Sequence, residues 1–368
     1  MLYQSILNAF VKKGHPGVSV LVRTREEGTW NGTAGYARLE DQTPVRPEHL
    51  FHTLSCAKAY TATAILMLWE EGLIDLDARI DRYLPADLCD DLPNGHAATV
   101  HHLLTHTSGI PDFDDNMPYF EVFNDPYAPT WEDALEIVKA MPPLFPPGMG
   151  CQYRNTNYTL LALIIDQIAG SHAAFLDTRI FRPLGLANTY YKIQAGLPRP
   201  PKMVNIYYDR YGDGCLENLT DEMCAINQNG SIGSAGVIAD MTDCARFMEA
   251  LAGGELIGPE AWAKMTAPAF PGQEWRGSGI GIMDWTDSRG RVHRFYEMAG
   301  SGGQGMAQTR TFPLEGVTIS CATNVGSTNR PNAHVNFYAL LDDLMAAVFN
   351  ASAALPESPS LDKRAVIR

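Results

Sequence analysis

Ser55 and Lys58 stand three residues apart in the tetrad Ser55-Cys56-Ala57-Lys58, a spacing that puts both side chains on one face of a helical turn. A hydroxyl and an ammonium so placed can act together. Burial lowers a lysine pKa, so Lys58 could remove the serine proton near neutral pH and make Ser55 a nucleophile. The plainer reading of the pair is a serine that caps a helix and a lysine that reaches outward. A second chemical pair follows the proline- and glycine-rich loop Phe145-Pro146-Pro147-Gly148-Met149-Gly150. Tyr153 and Asn155 lie two residues apart, so on extended chain both project to one side. Tyr153 could relay protons beside Lys58, since a neighbouring cation lowers a phenol pKa from about 10. Asn155 could hold Lys58 or orient a substrate carbonyl. A tyrosine packed on the core beside an Asx turn is the alternative.

These groups need rigid elements beneath them. From Ala59 to Trp69 the residues are apolar on every face, the mark of a helix inside a protein. Gly72 closes it as a left-handed cap, and Ser55 falls at its N-cap or first turn. Val18 to Arg23 is a strand candidate, and Thr29 to Ala37 resembles its hairpin partner, with the turn expected near Asn31-Gly32. Late in the chain, Gly300 to Phe312 holds another strand and Val317 to Asn324 the clearest one. Helices are expected at Trp131 to Ala140, Thr156 to Ala169, Ala173 to Ile180, Asp240 to Leu251 and Val335 to Phe349. Strands at both ends with helices between imply one α/β unit over residues 1–350. Its antiparallel sheet draws on both termini, about 1–58 and 252–350. An all-helical lobe, about 59–251, is inserted, and 351–368 is expected to be a mobile tail.

The net charge of −14 argues against nucleic acid and anionic membranes as partners. The first residues lack a secretory pattern, and no apolar run approaches the roughly 20 residues of a membrane span. Seven cysteines without tight spacing do not read as a disulfide framework, so a cytoplasmic protein is expected. His101, His102 and His106 lack a metal-ligand pattern, and no metal or cofactor is expected.

Taken together, these segments resemble the serine β-lactamase-like superfamily, in its branch of class C β-lactamases, D-alanyl-D-alanine carboxypeptidases, D-aminopeptidases, D-amino acid amidases and related carboxylesterases. The likeness rests on Ser55-Cys56-Ala57-Lys58, His102 to Pro111 and Tyr153-Arg154-Asn155. Ile180 to Leu186, Ser234 to Ala239 and Asn324 add to it. It implies an α/β sandwich with a helical lobe and a cleft between them. It also implies acylation of Ser55, with Lys58 and Tyr153 sharing acid and base duty and water completing turnover. The oxyanion would lie between the backbone N–H groups of Ser55 and Ser301.

The chain departs from the family at its third motif. Where relatives carry K-T-G or H-x-G, this sequence has Met298-Ala299-Gly300. Gly300 still allows close backbone approach, but the cation and hydroxyl that help anchor a substrate carboxylate are missing. Arg310 or His293 could restore a positive charge if folded inward. Uncharged esters and amides are therefore favoured over penicillins and C-terminal D-alanyl peptides. Asp112, Asp114 and Glu297 could meet a substrate ammonium, as in D-amino acid amides, or stay solvated. Trp275, Trp285 and Tyr296 could line an acyl pocket or fill the core. The expected substrate is a small molecule or short peptide. A β-lactamase or carboxypeptidase, and a non-catalytic binding member of the family, are the alternatives.

Overall fold

The computed structural model describes residues 2–113, 130–191, 199–229, 232–327 and 332–351. The first strands are β1 (Gly17–Thr24), β2 (Gly28–Arg38) and β3 (Thr43–Pro44). The late ones are β4 (Gly281–Thr286), β5 (Val292–Gly302), β6 (Gly305–Phe312) and β7 (Val317–Thr323). They form one seven-stranded sheet in the order β3-β2-β1-β7-β6-β5-β4, antiparallel throughout. At its centre the two ends of the chain meet, Val20 opposite Cys321 and Val22 opposite Ile319.

Two turns differ from expectation. The first hairpin turns after Thr24, which pairs with Gly28, so Asn31-Gly32 lies mid-strand opposite Val20 and Leu21. Glycine at 32 leaves room for the Trp30 indole, whose ring edge lies 2.0 Å from where a Cβ would stand. The stretch from Gly300 to Phe312 is two strands, folded back where Gly302 pairs with Gly305.

The period-2 alternation of the strands divides the core. Val18, Val20, Val22, Phe312, Ile319 and Cys321 pack against α1 (Leu2–Lys12) and residues of the late helix such as Phe337 and Leu341. Leu21, Met298, Ala307 and Ala322 face the opposite way, toward α2 (Ala57–Glu70). Nearly every residue of α2 is buried, as its all-round apolarity requires. Its end is closed by Gly72 at φ 73°, with Leu73 N–H donating to Leu68 O at 3.0 Å. The middle of the chain adds α3 (Asn155–Ala169) and α4 (Met241–Ala252). The Tyr60 ring on α2 stacks on Phe247 of α4 at 3.7 Å. α4 lies directly on the sheet, where Glu249 pairs with Arg23 at 2.5 Å and Met241 Sδ accepts from Ser320 Oγ at 3.3 Å. The chain closes with α5 (Ala333–Ala351); the expected tail lies outside the described residues. Among the described residues no single helix is long and apolar enough to cross a membrane.

Candidate active site

Ser55 lies in a 3-10 turn, Leu54–Cys56, that runs straight into α2. Leu54 takes the left-handed φ of 50°, which costs a leucine energy. Thr53 anchors the turn, its N–H and Oγ1 both donating to Val237 O at 3.0 and 2.9 Å. β5 crosses the turn at Gly300, where a Cβ would lie 2.2 Å from Thr53 O and 2.8 Å from Ser55 N. Backbone cannot give way there cheaply. Gly300→Ala is expected to lower stability by about 1–3 kcal/mol and to reduce acylation at Ser55, read from the denaturation midpoint and from burst amplitude with an activated ester.

Lys58 does not reach outward. It is buried, and its Nζ donates to Ser55 Oγ at 3.2 Å, Asn155 Oδ1 at 2.8 Å and Ser234 O at 2.9 Å, which uses all three protons. Tyr153 Oη donates to the same Ser55 Oγ at 2.8 Å, with Lys58 Nζ 4.7 Å from its ring centroid. Asn155 opens α3, and its place is set by Asp112. That buried carboxylate accepts from Asn155 N, Thr156 N and Thr156 Oγ1, each at 2.6 Å, as an anion at a helix N-terminus should. The expectation that Asp112 meets a substrate ammonium is thereby corrected: both of its oxygens hold the helix that carries Asn155. Asp114 lies outside the described residues.

His106 supports Tyr153 from behind, ring to ring at 4.6 Å. Its Nδ1 accepts from Arg154 N at 3.2 Å, so the neutral ring carries its proton on Nε2. Burial, with the charges of Lys58, Arg276 and Arg154, holds its pKa well below the usual histidine value. The folded state therefore disfavours a proton that the unfolded chain accepts, and stability present above about pH 6.5 is lost as pH falls. His52, buried and lowered to about 4, acts in the same sense. Asn tolerates the φ of 59° at position 106 and keeps an acceptor. His106→Asn is expected to flatten the loss of stability between pH 6.5 and 5 by up to about 1.4 kcal/mol per pH unit, measured by denaturant unfolding.

Two adjoining pockets open from Ser55. A deep one of about 120 Å³ is bounded by Lys58, Trp275, Arg276, Ile280 and Glu297. A wide one of about 380 Å³ is bounded by Tyr153, Arg276, Ser301, Phe337 and Tyr338, with Gly300 in its wall. Glu297 is buried; its Oε2 accepts from Gln308 and, at 3.2 Å, from Arg310. Burial raises its carboxyl pKa, with Arg310 pulling the other way. Met298 points to the opposite face of β5 and is 1% exposed in the core against α2, so it is not a substrate-binding residue. Nor do Arg310 and His293 replace the missing cation. Arg310 is paired with Glu297, and His293 lies at the far end of β5 between Asp287 and Glu315. Of the three aromatic candidates, Trp275 lines one of these two pockets and the other two line neither. Trp285 packs on Phe349 and Tyr296 on Trp262. Cys56 is buried, its thiol pKa pushed up by that burial, and offers no reactive sulfur.

Sequence reasoning missed Arg276. Its guanidinium lies 5.1 Å from the Tyr153 ring centroid and 4.5 Å from that of Trp275. The available signal was the run Trp275-Arg276-Gly277-Ser278-Gly279-Ile280-Gly281, whose glycines mark close backbone approach. At Gly279 a Cβ would come within 2.7 Å of Lys58 O, so this segment lies against α2 and carries Arg276 to the cleft.

An antiparallel sheet and a helical lobe meet at the Ser55–Lys58 pair, an arrangement suited to a serine nucleophile. The D-amino acid amidase of Ochrobactrum anthropi SV3 shares the fold at a TM-score of 0.80 and 23% identity, over 95% of this chain and 99% of its own. The family model described as Beta-lactamase matches residues 4–343, and the chain belongs to that family. Penicillin-binding protein 4* of Bacillus subtilis is 29% identical over 67% of this chain and 55% of its own length. The unguisins hydrolase ungD of Aspergillus violaceofuscus is 27% identical over 67% of this chain and 43% of its own. The chain thus spans about half the length of these curated relatives.

Proposed function

We propose that the protein cleaves small esters and amides bearing a free α-amino group, D-amino acid amides and D-aminoacyl peptides among them, through an acyl-enzyme on Ser55. One observation carries this reading: Ser55 Oγ is hydrogen-bonded to both Tyr153 Oη at 2.8 Å and Lys58 Nζ at 3.2 Å, where two pockets meet. In the acylation step Ser55 Oγ bonds to the carbonyl carbon while its proton passes to the Tyr153–Lys58 pair, which enters the step with one of its two groups deprotonated. Ser55 and Ser301 N–H groups receive the oxyanion. The C–O or C–N bond then breaks and the leaving group takes the proton. Water, deprotonated by the same pair, frees the acid. Asn155 and Ser234 O hold Lys58 against Ser55.

The free amino group is assigned to Glu297. Its Oε2 is taken by Gln308 and Arg310, and Oε1 has no hydrogen-bond partner among the described residues. An ammonium beside a buried carboxylate makes a strong, charge-assisted bond. The amidase of Ochrobactrum anthropi shares this fold, which supports an amide of a D-amino acid as the type of substrate. Residues 1–350 are taken as one catalytic unit. Seven free cysteines suit a reducing compartment such as the cytoplasm.

The test is pre-steady-state hydrolysis of a p-nitrophenyl ester. A burst equal to the enzyme concentration, followed by turnover, is expected. A folded protein with no burst and no turnover would overturn the reading in favour of a binding role. Stable labelling by a fluorescent penicillin would instead move it to the β-lactamase and carboxypeptidase branch.

A further inference from the structure

We propose that the cleft is built for a zwitterionic dipeptide, with its α-ammonium on Glu297 in the deep pocket and its terminal carboxylate on Arg276 in the wide one. The inference rests on acylation at Ser55, and it adds the second pole of the substrate and the residue that reads it.

Among the described residues, no carboxylate is paired with Arg276. In a chain with 42 acidic and 28 basic residues, many arginines elsewhere in the fold are paired. Arg23 is held by Glu249, Arg246 by Glu255, Arg291 by Asp287 and Arg294 by Asp284. No ion pair joins Arg276 to any of the described residues. Its guanidinium is not loose, being held between the Tyr153 and Trp275 rings, so little freedom is lost when it binds. It borders both pockets. Such a fork, half-buried and fixed beside a pocket, suits a carboxylate bound through two parallel hydrogen bonds.

The two pockets differ in the carboxylate that one of them carries. The described lining of the wide one holds no Asp or Glu; Arg276 and His334 are its basic groups, set among Met306, Phe337 and Tyr338. The deep one holds a single carboxylate, Glu297, together with Lys58, whose three protons are already taken, and the shared Arg276. At about 120 Å³ it has room for an amino group and a small side chain. Ser55 is in the wall of both, which places a scissile carbonyl between the two charges. The poles of an extended dipeptide are about 7 Å apart, a span that adjoining pockets can bridge. An amino acid amide leaves Arg276 unfilled, and an N-acylated peptide leaves Glu297 unfilled. Cleavage would form the Ser55 Oγ–carbonyl bond, break the peptide C–N bond and release the second amino acid with the proton it received. Water then hydrolyses the ester.

Calorimetric titration of the full-length Ser55→Ala protein tests this without turnover. The probes are D-alanyl-glycine, its C-terminal amide and its N-acetyl derivative. The dipeptide is expected to bind about tenfold to a hundredfold more tightly than either derivative. Adding Arg276→Gln should erase the preference for the free carboxylate and keep that for the free amine, and Arg276→Lys should restore part of the former. Equal affinity for dipeptide and amide overturns the proposal. So does a carboxylate preference that survives Arg276→Gln, or no dipeptide binding at millimolar concentration. The ester burst of the wild-type protein judges acylation separately. A full burst without carboxylate preference sinks the dipeptide alone, and a preference without a burst sinks only the catalytic reading.

Discussion

Ser55→Ala is expected to leave the fold intact and remove the ester burst entirely, with steady-state turnover reduced by about 10⁴-fold or more. The case for an intact fold is geometric. Ser55 is only partly buried in a turn whose shape is set by Thr53 bonding to Val237 O and by β5 at Gly300, and neither depends on the Ser55 hydroxyl. Losing Oγ takes an acceptor from Lys58 Nζ and Tyr153 Oη. Both groups border a pocket that water can enter, so the unfolding midpoint should move by no more than about 1 kcal/mol. The case for lost activity is chemical: no other hydroxyl or thiol is hydrogen-bonded to Lys58 among the described residues, and Cys56 is buried. Circular dichroism and denaturant unfolding check the first half, stopped-flow absorbance the second. A burst that persists in a pure sample would remove Ser55 from the mechanism.

Much of the fold was legible because it follows periodicity. The all-round apolarity of residues 59–69 could only suit a buried helix, and α2 is one. The run at β7 had hydrophobic and β-branched residues on both faces and proved central, between β1 and β6. β4 escaped notice for the opposite reason. It is an edge strand whose residues are mostly half-exposed, so burial imposes little alternation on Gly281-Ile282-Met283-Asp284-Trp285-Thr286. The Asn31-Gly32 turn was misread because the dipeptide is a strong local signal. The room that Gly32 leaves for the Trp30 indole is a contact along one face of the same strand, set by the direction in which the ring lies and not by the dipeptide.

The site divides along the same line. Ser55 and Lys58 are joined by one helical turn, and Tyr153 and Asn155 by one loop, so each pair was visible as spacing. Their meeting depends on α2 and α3 packing side by side, which the family resemblance supplied. Side chains whose meaning depends on facing direction were misjudged. Asp112 looks like a loop carboxylate until Asn155 N and Thr156 N are seen to donate to it. Met298 looks like the lost member of a binding triplet, yet strand alternation turns it into the core. Arg276 reaches the cleft through a glycine-lined crossing of α2; the glycine run marked a close approach, but residue order did not say that the arginine lies over Tyr153.

Lys58→Ala is expected to lower kcat by about 10³–10⁴-fold and to cost more stability than Ser55→Ala. Lys58 is 2% exposed and bonds Ser55, Asn155 and Ser234. Truncation leaves Asn155 Oδ1 and Ser234 O without that donor and opens a void the length of the side chain, at a cost of about 1–3 kcal/mol for each stranded polar group. Stability loss alone would lower the active fraction without changing kcat per folded molecule, so active-site titration must accompany the rates. Lys58→Arg separates charge from proton transfer. It keeps a cation beside Ser55, but a guanidinium does not give up its proton in a protein and cannot serve as a base. If Lys58 shuttles the serine proton, Lys58→Arg will be as slow as Lys58→Ala once the protein is folded. If it only supplies charge, Lys58→Arg will recover most of the rate, and the burden of proton transfer shifts to Tyr153. Tyr153→Phe decides between these outcomes. A smaller loss than in Lys58→Ala keeps the lysine as principal base, and a larger one transfers that role to the phenol whose oxygen lies 2.8 Å from Ser55 Oγ.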